Sequence, residues 1–240
     1  MRRLKWIIAL PVAAVLLVLA GTWTYINVLS GDAPARLTLE GSVADNIPAT
    51  SSSTAAAGAT TEVPASFDGT WLAASGSQAG YRVNEVLFGQ STEAVGRTSN
   101  VDGAITINGA KVETAAISID LADVTSDKSQ RDNQFRNRIM SVTRFPTATF
   151  TLTSPIDLGT LPADGDTVTV PATGDLTVHG VKKPVTVNLT AQRSGGTIAV
   201  NGTIPVVFAD YGIPDPSFGP AQVEDHGMIE FLVNFTKSAE

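Results

Sequence analysis

From residue 67 onward, apolar and polar residues alternate with a period of two. Successive side chains of a β-strand point to opposite faces of a sheet, so this period predicts half-buried strands. Such runs recur at Tyr81–Phe88, Val101–Asn108, Ala115–Leu121, Ala148–Leu152, Val168–Val178, Val185–Ala191, Ile198–Phe208 and Ile229–Phe235. The pattern predicts an all-β domain of about eight strands that follow one another in chain order.

Turn residues separate these runs. Asn108-Gly109 predicts a type I′ hairpin, and Gly195-Gly196 marks another tight connection. Eight antiparallel strands can close into a barrel, which removes exposed sheet edges. A two-sheet β-sandwich is the alternative that the same pattern allows.

One segment, Ser126 to Met140, departs from the alternation and predicts a short helix between strands. Asp127 is a plausible cap for its N-terminus. Phe135 and Ile139 are four residues apart and therefore share one face. We expect this helix to lie over one end of the barrel.

The first 29 residues have the composition of a membrane anchor. Arg2, Arg3 and Lys5 precede the uncharged apolar stretch Trp6–Leu29. At ~1.5 Å per residue, that stretch is long enough to cross a hydrocarbon core of ~30 Å. The basic cluster is expected to stay cytoplasmic, which places the following domain outside the cell membrane as part of a single-pass protein.

A cleaved signal peptide is the competing interpretation of this segment. Val18-Leu19-Ala20 fits a small-residue cleavage site, and Ile7–Leu19 would be its apolar core. Both interpretations export the domain, and cleavage would make the protein secreted.

Residues 30–66 predict a flexible linker. Its stretch Pro48–Gly58 consists almost entirely of Ala, Ser and Thr, which bury too little apolar surface to offset ordering entropy. We expect a tether that lifts the domain off the membrane, with a weak indication of a strand at Arg36–Val43. The folded domain then occupies residues 67–240.

Charge and cysteine content narrow the function classes. The chain has 240 residues, a net charge of −7 and no cysteine. Disulfides, thiolate catalysis and cysteine-ligated metal sites are therefore excluded. A negative domain repels phosphate backbones, so we expect no nucleic-acid partner.

No motif in the sequence indicates catalysis. His179 and His226 both lie in predicted turns, and Asp120, Asp123 and Asp127 lack the spacing of a calcium loop. A nucleophile elbow, a phosphate loop and a zinc-binding helix are absent. We predict a protein that is not an enzyme and that has no cofactor and no metal.

Several runs, in order, resemble landmarks of one family, the YceI-like domains. They are Gly80–Glu85, Val95–Thr98, Arg131-Asp132, Phe145–Phe150, Gly174–Lys183 and Asp210–Ile213. The resemblance covers about Phe67 to Phe235. The N-terminal anchor, the linker and the first two runs resemble actinobacterial members.

The resemblance implies an extended, lipocalin-like antiparallel barrel that binds a polyisoprenoid or quinone-like lipid in an apolar tunnel, at the cell envelope. The chain departs from the family pattern after Arg131-Asp132, where Asn133-Gln134-Phe135 replace the usual histidine. The resemblance therefore carries over no polar contact from that helix.

We predict that an isoprenoid-type lipid contacts a set of large apolar side chains inside the barrel. They are Phe88, Ile117, Ile119, Phe135, Phe150 and Phe208. Phe145-Pro146 and the loop Tyr211–Pro220 are candidates for the tunnel mouth. A barrel filled by its own side chains, acting as a structural or interaction domain, and a lipid-modifying enzyme remain alternatives. The sequence leaves the oligomeric state open, and a homodimer is kept as a prediction.

Overall fold

The computed structural model describes residues 33–39 and 66–238. The strands of this part are β1 (Gly69–Ala73), β2 (Gln78–Leu87), β3 (Gln90–Thr98), β4 (Val101–Asn108), β5 (Lys111–Asp120), β6 (Thr125–Ser126), β7 (Thr147–Leu152), β8 (Ile156–Asp157), β9 (Thr167–Val178), β10 (Val181–Ser194), β11 (Thr197–Val207), β12 (Ala221–Val223) and β13 (His226–Lys237). A helix α1 (Ser129–Gln134) continues into a π turn (Phe135–Ile139).

The predicted membrane-spanning stretch lies outside the described residues. Within residues 33–39 and 66–238, no helix combines the length and the apolar character needed to cross a bilayer.

The strands form one closed antiparallel barrel. Two of its eight strands are interrupted by a break. The first consists of β1 and β2, which both pair with the same edge of β13. The second consists of β3, which pairs with β2, and β4, which pairs with β1. Counted this way, eight strands follow in chain order, and pairing of β13 with β1 and β2 closes the ring. The predicted barrel is confirmed, and the sandwich alternative is wrong.

The break between β1 and β2 is held by polar contacts rather than by ladder pairing. The Ser77 hydroxyl donates to the carbonyl of Ala74 at 2.7 Å and accepts the backbone N–H of Asn234 at 3.0 Å. The Asn234 amide thereby has a partner where the strand pairing is interrupted, so the long strand can bend and still stay in the wall.

The predicted type I′ turn at Asn108-Gly109 is wrong in detail. Asn108 pairs with Lys111, so the two turn residues are Gly109 and Ala110. Gly109 has a φ of 58°, whereas Ala110 has no positive φ. A type I′ turn requires positive φ at both central residues, so this turn belongs to another class. The hairpin itself is present.

The predicted helix is present but begins later than expected. Ser126 belongs to the short strand β6, and the N-cap of α1 is Lys128, without a side-chain capping bond. Asp127 as a cap is therefore wrong; its carboxylate pairs with the guanidinium of Arg131. Asp132 orders the junction instead, because its carboxylate accepts hydrogen bonds from the Ser126 amide at 2.8 Å and hydroxyl at 2.6 Å.

Part of the predicted linker, Ala33–Leu39, packs on the outside of the barrel; we call this segment the strap. Arg82 donates to the carbonyl of Pro34 at 2.7 Å, and Asn201 donates to the carbonyl of Leu37 at 3.2 Å. Leu39 is buried against outward-facing residues of β11 and β13. The strap is thus ordered by contacts with the barrel rather than by its own composition.

The weak strand indication at Arg36–Val43 is not realised where it can be compared. Residues 36–38 form no strand, and residues 40–43 lie outside the described part. Arg36 instead makes an ion pair with Glu93, with 3.5 Å between Nη2 and Oε1.

Charged side chains are buried beneath the strap. Arg82 lies between Glu230 and Glu93, with N–O distances of 3.1 and 2.6 Å, and Arg97 also binds Glu230 at 2.6 Å. Arg82 is 3 % exposed and Glu230 is 1 % exposed. Buried charges are tolerated only when they are paired and hydrogen-bonded, as these are. The cluster fastens β2, β3 and β13 together on the outer face and provides donors that hold the strap.

Candidate functional site

The interior of the barrel contains two adjoining cavities. The wide chamber has a volume of about 730 Å³ and the narrow chamber one of about 170 Å³. Three side chains, Ile119, Ala148 and Ile229, lie on the walls of both. The two chambers therefore meet at this ring of residues.

The narrow chamber is apolar. Its walls come from alternate residues of β4, β5, β7, β9, β10, β11 and β13, and include Ile105, Ile117, Phe150, Leu176, Val187 and Phe231. A surface of this kind holds hydrocarbon without offering it a hydrogen-bond partner.

Two glycines let aromatic rings lie flat against the barrel wall. A Cβ atom at Gly174 would come within 2.4 Å of the Phe150 ring, and one at Gly202 within 2.7 Å of the Phe231 ring. Because these positions carry no side chain, each ring occupies the space over the strand backbone. The rings therefore line the narrow chamber along its wall.

The wide chamber has one polar wall. Arg131 of α1 binds Glu85 of β2, with 3.0 Å between Nη2 and Oε1, and Glu85 is almost fully buried. Tyr81, on the same face of β2, stacks on Phe135 with ring centroids 5.1 Å apart and an interplanar angle of 18°. Gln134 also lines the chamber. Polar and apolar groups thus face each other across one cavity.

The Tyr81 hydroxyl has no hydrogen-bond partner among residues 33–39 and 66–238. Burial raises the pKa of this phenol above its ordinary value of 10.0, because the charged form would lose its hydration. The hydroxyl is therefore neutral at physiological pH. It is available to donate a hydrogen bond to an oxygen atom of a ligand in the wide chamber.

The rim of the wide chamber carries exposed aromatic residues. Phe88 lies at the tip of the β2–β3 hairpin and Phe218 in the loop before β12, and each is 55 % exposed. Pro216 and Pro220 from the same loop line the opening, as does the start of the strap. Arg138 fixes this loop by donating to the carbonyls of Asp215 and Pro216 at 2.8 and 2.6 Å.

The structure distributes the six predicted contact residues over both chambers. Phe88 lies at the rim, Phe135 and Phe208 line the wide chamber, Ile117 and Phe150 line the narrow chamber, and Ile119 lies between the two. Contact of these side chains with a ligand stays a prediction.

The predicted mouth is only partly present. Loop residues Pro216 and Pro220 line the opening, but Phe145 packs on His179, with ring centroids 4.7 Å apart. Phe145 therefore supports the β9–β10 turn rather than the opening.

Sequence reasoning missed the polar wall. Tyr81 and Glu85 each lie two positions from Val83, which lines the wide chamber. Strict alternation along β2 therefore places all three side chains inside the barrel. That signal was present in the sequence. The partner Arg131 could not be found in the same way, because it depends on where α1 crosses the end of the barrel.

Neither histidine lies on the wall of these two chambers. His179 occupies the β9–β10 turn with a φ of 52°, and its Nδ1 lies 3.2 Å from the carbonyl oxygen of Tyr211. His226 does contact carboxylates, with 2.8 Å to Asp225 and 3.4 Å to Glu224, but all three side chains are exposed at the surface. Among the described residues, no group of three or more His, Asp or Glu side chains is arranged so that it could hold a metal ion.

Comparison with known sequences identifies the protein family of this barrel. The family model of the YceI-like domain matches residues 71–235, more than half of the chain. This chain belongs to the YceI-like family. The matched range begins within β1 and ends within β13, so it includes residues from every strand of the closed barrel.

Curated relatives of this YceI-like protein include a UPF0312 protein of Pseudomonas putida strain GB-1, which is 33 % identical over 130 residues, or 50 % of this chain and 64 % of the relative. A UPF0312 protein of Pseudomonas fluorescens strain SBW25 is 33 % identical over 129 residues, or 50 % of this chain and 62 % of the relative. The chain spans somewhat less than two thirds of the curated relatives it matches.

A solved structure similar to this one is described as a polyisoprenoid binding domain from Saccharophagus degradans, implicated in plant cell wall breakdown. Its TM-score is 0.58 at 19 % identity, and the match covers 71 % of this chain and 99 % of that one. At this identity the likeness supports the fold.

Proposed function

We propose that this protein binds a long apolar lipid of the polyisoprenoid or quinone-like class, without chemical change, at the outer side of the cell membrane. The observation that carries the proposal is the pair of adjoining chambers inside a closed barrel, one apolar and narrow, the other wide with a polar wall. A lipid of this class has a narrow apolar tail and a polar head group, which match the narrow and the wide chamber respectively.

The narrow chamber suits an unbranched or methyl-branched hydrocarbon tail. Burial of apolar surface contributes ~25 cal/mol per Å², and the chamber walls provide hardly any competing polar group. The wide chamber, at about 730 Å³, falls within the ~300–1,000 Å³ of ligand sites in proteins, and the narrow chamber adds about 170 Å³ to it. The similar domain from Saccharophagus degradans, described as polyisoprenoid-binding, supports the same class of ligand.

The polar wall suits an oxygen-bearing head group. The Tyr81 hydroxyl donates to no group in the part of the chain that the structure describes, and Arg131 is a charged donor already oriented by Glu85. A hydroxyl, a quinone carbonyl or a phosphate oxygen could accept from these groups while the tail passes Ile119 and Ala148 into the narrow chamber. The head would then remain near the rim.

We further propose that residues 6–29 hold the protein in the cell membrane as a single-pass anchor, with the N-terminus cytoplasmic. The charge pattern around this stretch supports the orientation. Such an anchor would keep the barrel where lipids of this class reside. A homodimer also stays a prediction.

The alternative of a barrel filled by its own side chains is less well supported. The wide chamber is open, and it is lined by Tyr81, whose hydroxyl has no hydrogen-bond partner within residues 33–39 and 66–238. Neither feature would be expected of a core that is packed for stability alone.

Native mass spectrometry of the full chain, purified in detergent from its own host, tests the proposal. We expect a stoichiometric adduct that extracts as an isoprenoid, with a smaller adduct fraction in Tyr81→Phe if the head group contacts the phenol. A mass that corresponds to the bare chain, with no uptake of added polyprenol or quinone, would contradict it. The same spectra report whether the chain is a dimer.

A further inference from the structure

The strap and the rim together indicate how the barrel is oriented toward the membrane. We propose that the rim of the wide chamber docks directly on the lipid bilayer, with Phe88 and Phe218 inserted among the lipid head groups. This inference rests on the proposed membrane anchor at residues 6–29. It adds that the chamber opens onto the bilayer and not into the surrounding water.

The first observation is the length of chain between the anchor and the strap. Only Ser30, Gly31 and Asp32 separate Leu29 from Ala33. Four Cα-to-Cα steps at ~3.6 Å each reach about 14 Å when fully extended. Ala33 and Pro34 lie at the opening of the wide chamber. The opening is therefore held close to the membrane surface.

The second observation is how firmly the strap is attached. The Arg82 guanidinium, fixed by Glu230 and Glu93, donates to Pro34, and Arg97 donates to the carbonyl of Ala35. Farther along, Asn201 donates to Leu37 and Leu39 is buried. The strap runs from the rim along the outer wall, so it cannot act as a long tether in this state.

The third observation is the form of the rim. Phe88 and Phe218 expose large rings to solvent on the same opening, where aromatic residues at a membrane interface would be placed. Phe88 has a φ of 51°, a strained conformation for a bulky residue. Phe218 is presented by a bridge to Ala221 and by Arg138, which lies 5.9 Å from the centre of its ring.

Exposed apolar side chains at the other end of the barrel provide a matched comparison. Leu72 of β1 is 45 % exposed, and β1 borders the narrow chamber's end of the barrel. If the rim docks on lipid, Leu72 faces water. The proposal therefore predicts contact with lipid at the rim and contact with water at the other end, for side chains of similar exposure.

The chain contains no cysteine, so single-cysteine variants can be labelled cleanly. The experiment uses three full-length variants, Phe88→Cys, Phe218→Cys and Leu72→Cys, each labelled with an environment-sensitive nitrobenzoxadiazole dye. Each labelled variant is reconstituted in vesicles of phosphatidylcholine and phosphatidylglycerol. A nitroxide on the lipid head group quenches dyes that enter the head-group region of the bilayer. We expect loss of fluorescence at positions 88 and 218 and none at 72; circular dichroism verifies that each variant is folded.

Quenching at the rim no greater than at position 72 overturns the inference. Alkaline extraction of the vesicles reports separately on the anchor, and native mass spectrometry on the bound lipid. If the chain stays in the membrane and carries lipid but the rim dyes are not quenched, docking is contradicted and the proposed function stands. Quenched rim dyes on a chain that binds no lipid support docking and remove the proposed function.

Discussion

Arg82 and Glu230 form an ion pair on the outer face of the barrel, with 3.1 Å between Nε and Oε2, and both side chains are nearly inaccessible to solvent. Outer-facing residues of a barrel are ordinarily exposed. Here the strap covers them, and their charges are satisfied by Glu93, Arg97 and a strap carbonyl. The pair thus joins the barrel to the segment that precedes it.

Removing one charge of this pair should strongly destabilise the fold. In Glu230→Gln, the buried Arg82 and the half-buried Arg97 lose their common carboxylate, and such losses cost ~3–5 kcal/mol. Chemical denaturation of the full chain in detergent micelles measures the free energy of unfolding. The control is Asp210→Asn, which removes the partner of Lys183 in an exposed pair at 2.9 Å. Equal effects of the two substitutions would show that burial of the pair contributes nothing.

Alternation sufficed to predict the strands and which of their side chains face inward, because the two-residue period sets this; it allowed a sandwich as well as the barrel that the structure has. The strap could not be predicted in this way. Ala33–Leu39 has no periodic pattern, and its order depends on donors from Arg82, Arg97 and Asn201, which lie between 48 and 164 residues away in sequence. Composition alone therefore indicated a flexible linker where the structure has a docked segment.

Titration of Tyr81 should make the fold sensitive to alkali. Burial holds the folded-state pKa of this phenol above 10.0, so the unfolded chain releases a proton that the folded chain keeps. The stabilising contribution is complete below pH 10.0 and is lost as the pH rises above that value. We expect the free energy of unfolding to fall less steeply in Tyr81→Phe than in the unsubstituted chain.

The measurement is a series of denaturation curves from neutral pH to the alkaline limit of the fold. Tyr211 also has a pKa raised by burial, so a residual slope should remain in Tyr81→Phe. Parallel pH profiles for the two proteins would mean that Tyr81 is not desolvated in the folded state.

The apolar half of the candidate site was accessible to sequence reasoning, and the polar half was accessible only in part. Ile117, Ile119 and Phe150 face inward because they obey the strand period. Arg131 faces the wide chamber because α1 follows β6, and Asp132 fixes their junction. The position of that helix is a tertiary effect that no local pattern determines.

The contact between Gly202 and Phe231 should control the room in the narrow chamber. In Gly202→Ala the new Cβ would lie 2.7 Å from the Phe231 ring, which would have to turn away from the wall and into the chamber. We expect a smaller lipid-bound fraction by native mass spectrometry. Overpacking of this kind costs ~1–3 kcal/mol, so thermal unfolding is followed in parallel.

The double variant Gly202→Ala/Phe231→Leu separates lost space from lost stability. A leucine removes the ring edge that the new methyl group meets, so we expect lipid binding to recover. Failure to recover, with normal thermal unfolding, would indicate that the Phe231 ring itself contacts the lipid.

Ala148 is the position at which the length of the bound tail can be tested. Its small side chain lies where the two chambers meet, and it pairs across the sheet with Ile119. In Ala148→Phe the ring should close the passage between the chambers. Tails short enough for the wide chamber should still bind, whereas longer tails should be excluded. The neighbouring Thr147→Phe places the same ring on the exposed face of β7 and serves as the control.

A series of polyprenols of increasing length, offered in competition and read by native mass spectrometry, gives the cut-off for each protein. We expect Ala148→Phe to shorten the preferred tail by the part that the narrow chamber, of about 170 Å³, would hold, and Thr147→Phe to leave the preferred length unchanged. An unaltered preference in a folded Ala148→Phe protein would mean that the tail stays within the wide chamber. The narrow chamber would then be an unoccupied packing void, and the distance from the polar wall to the rim would limit the length of the bound tail.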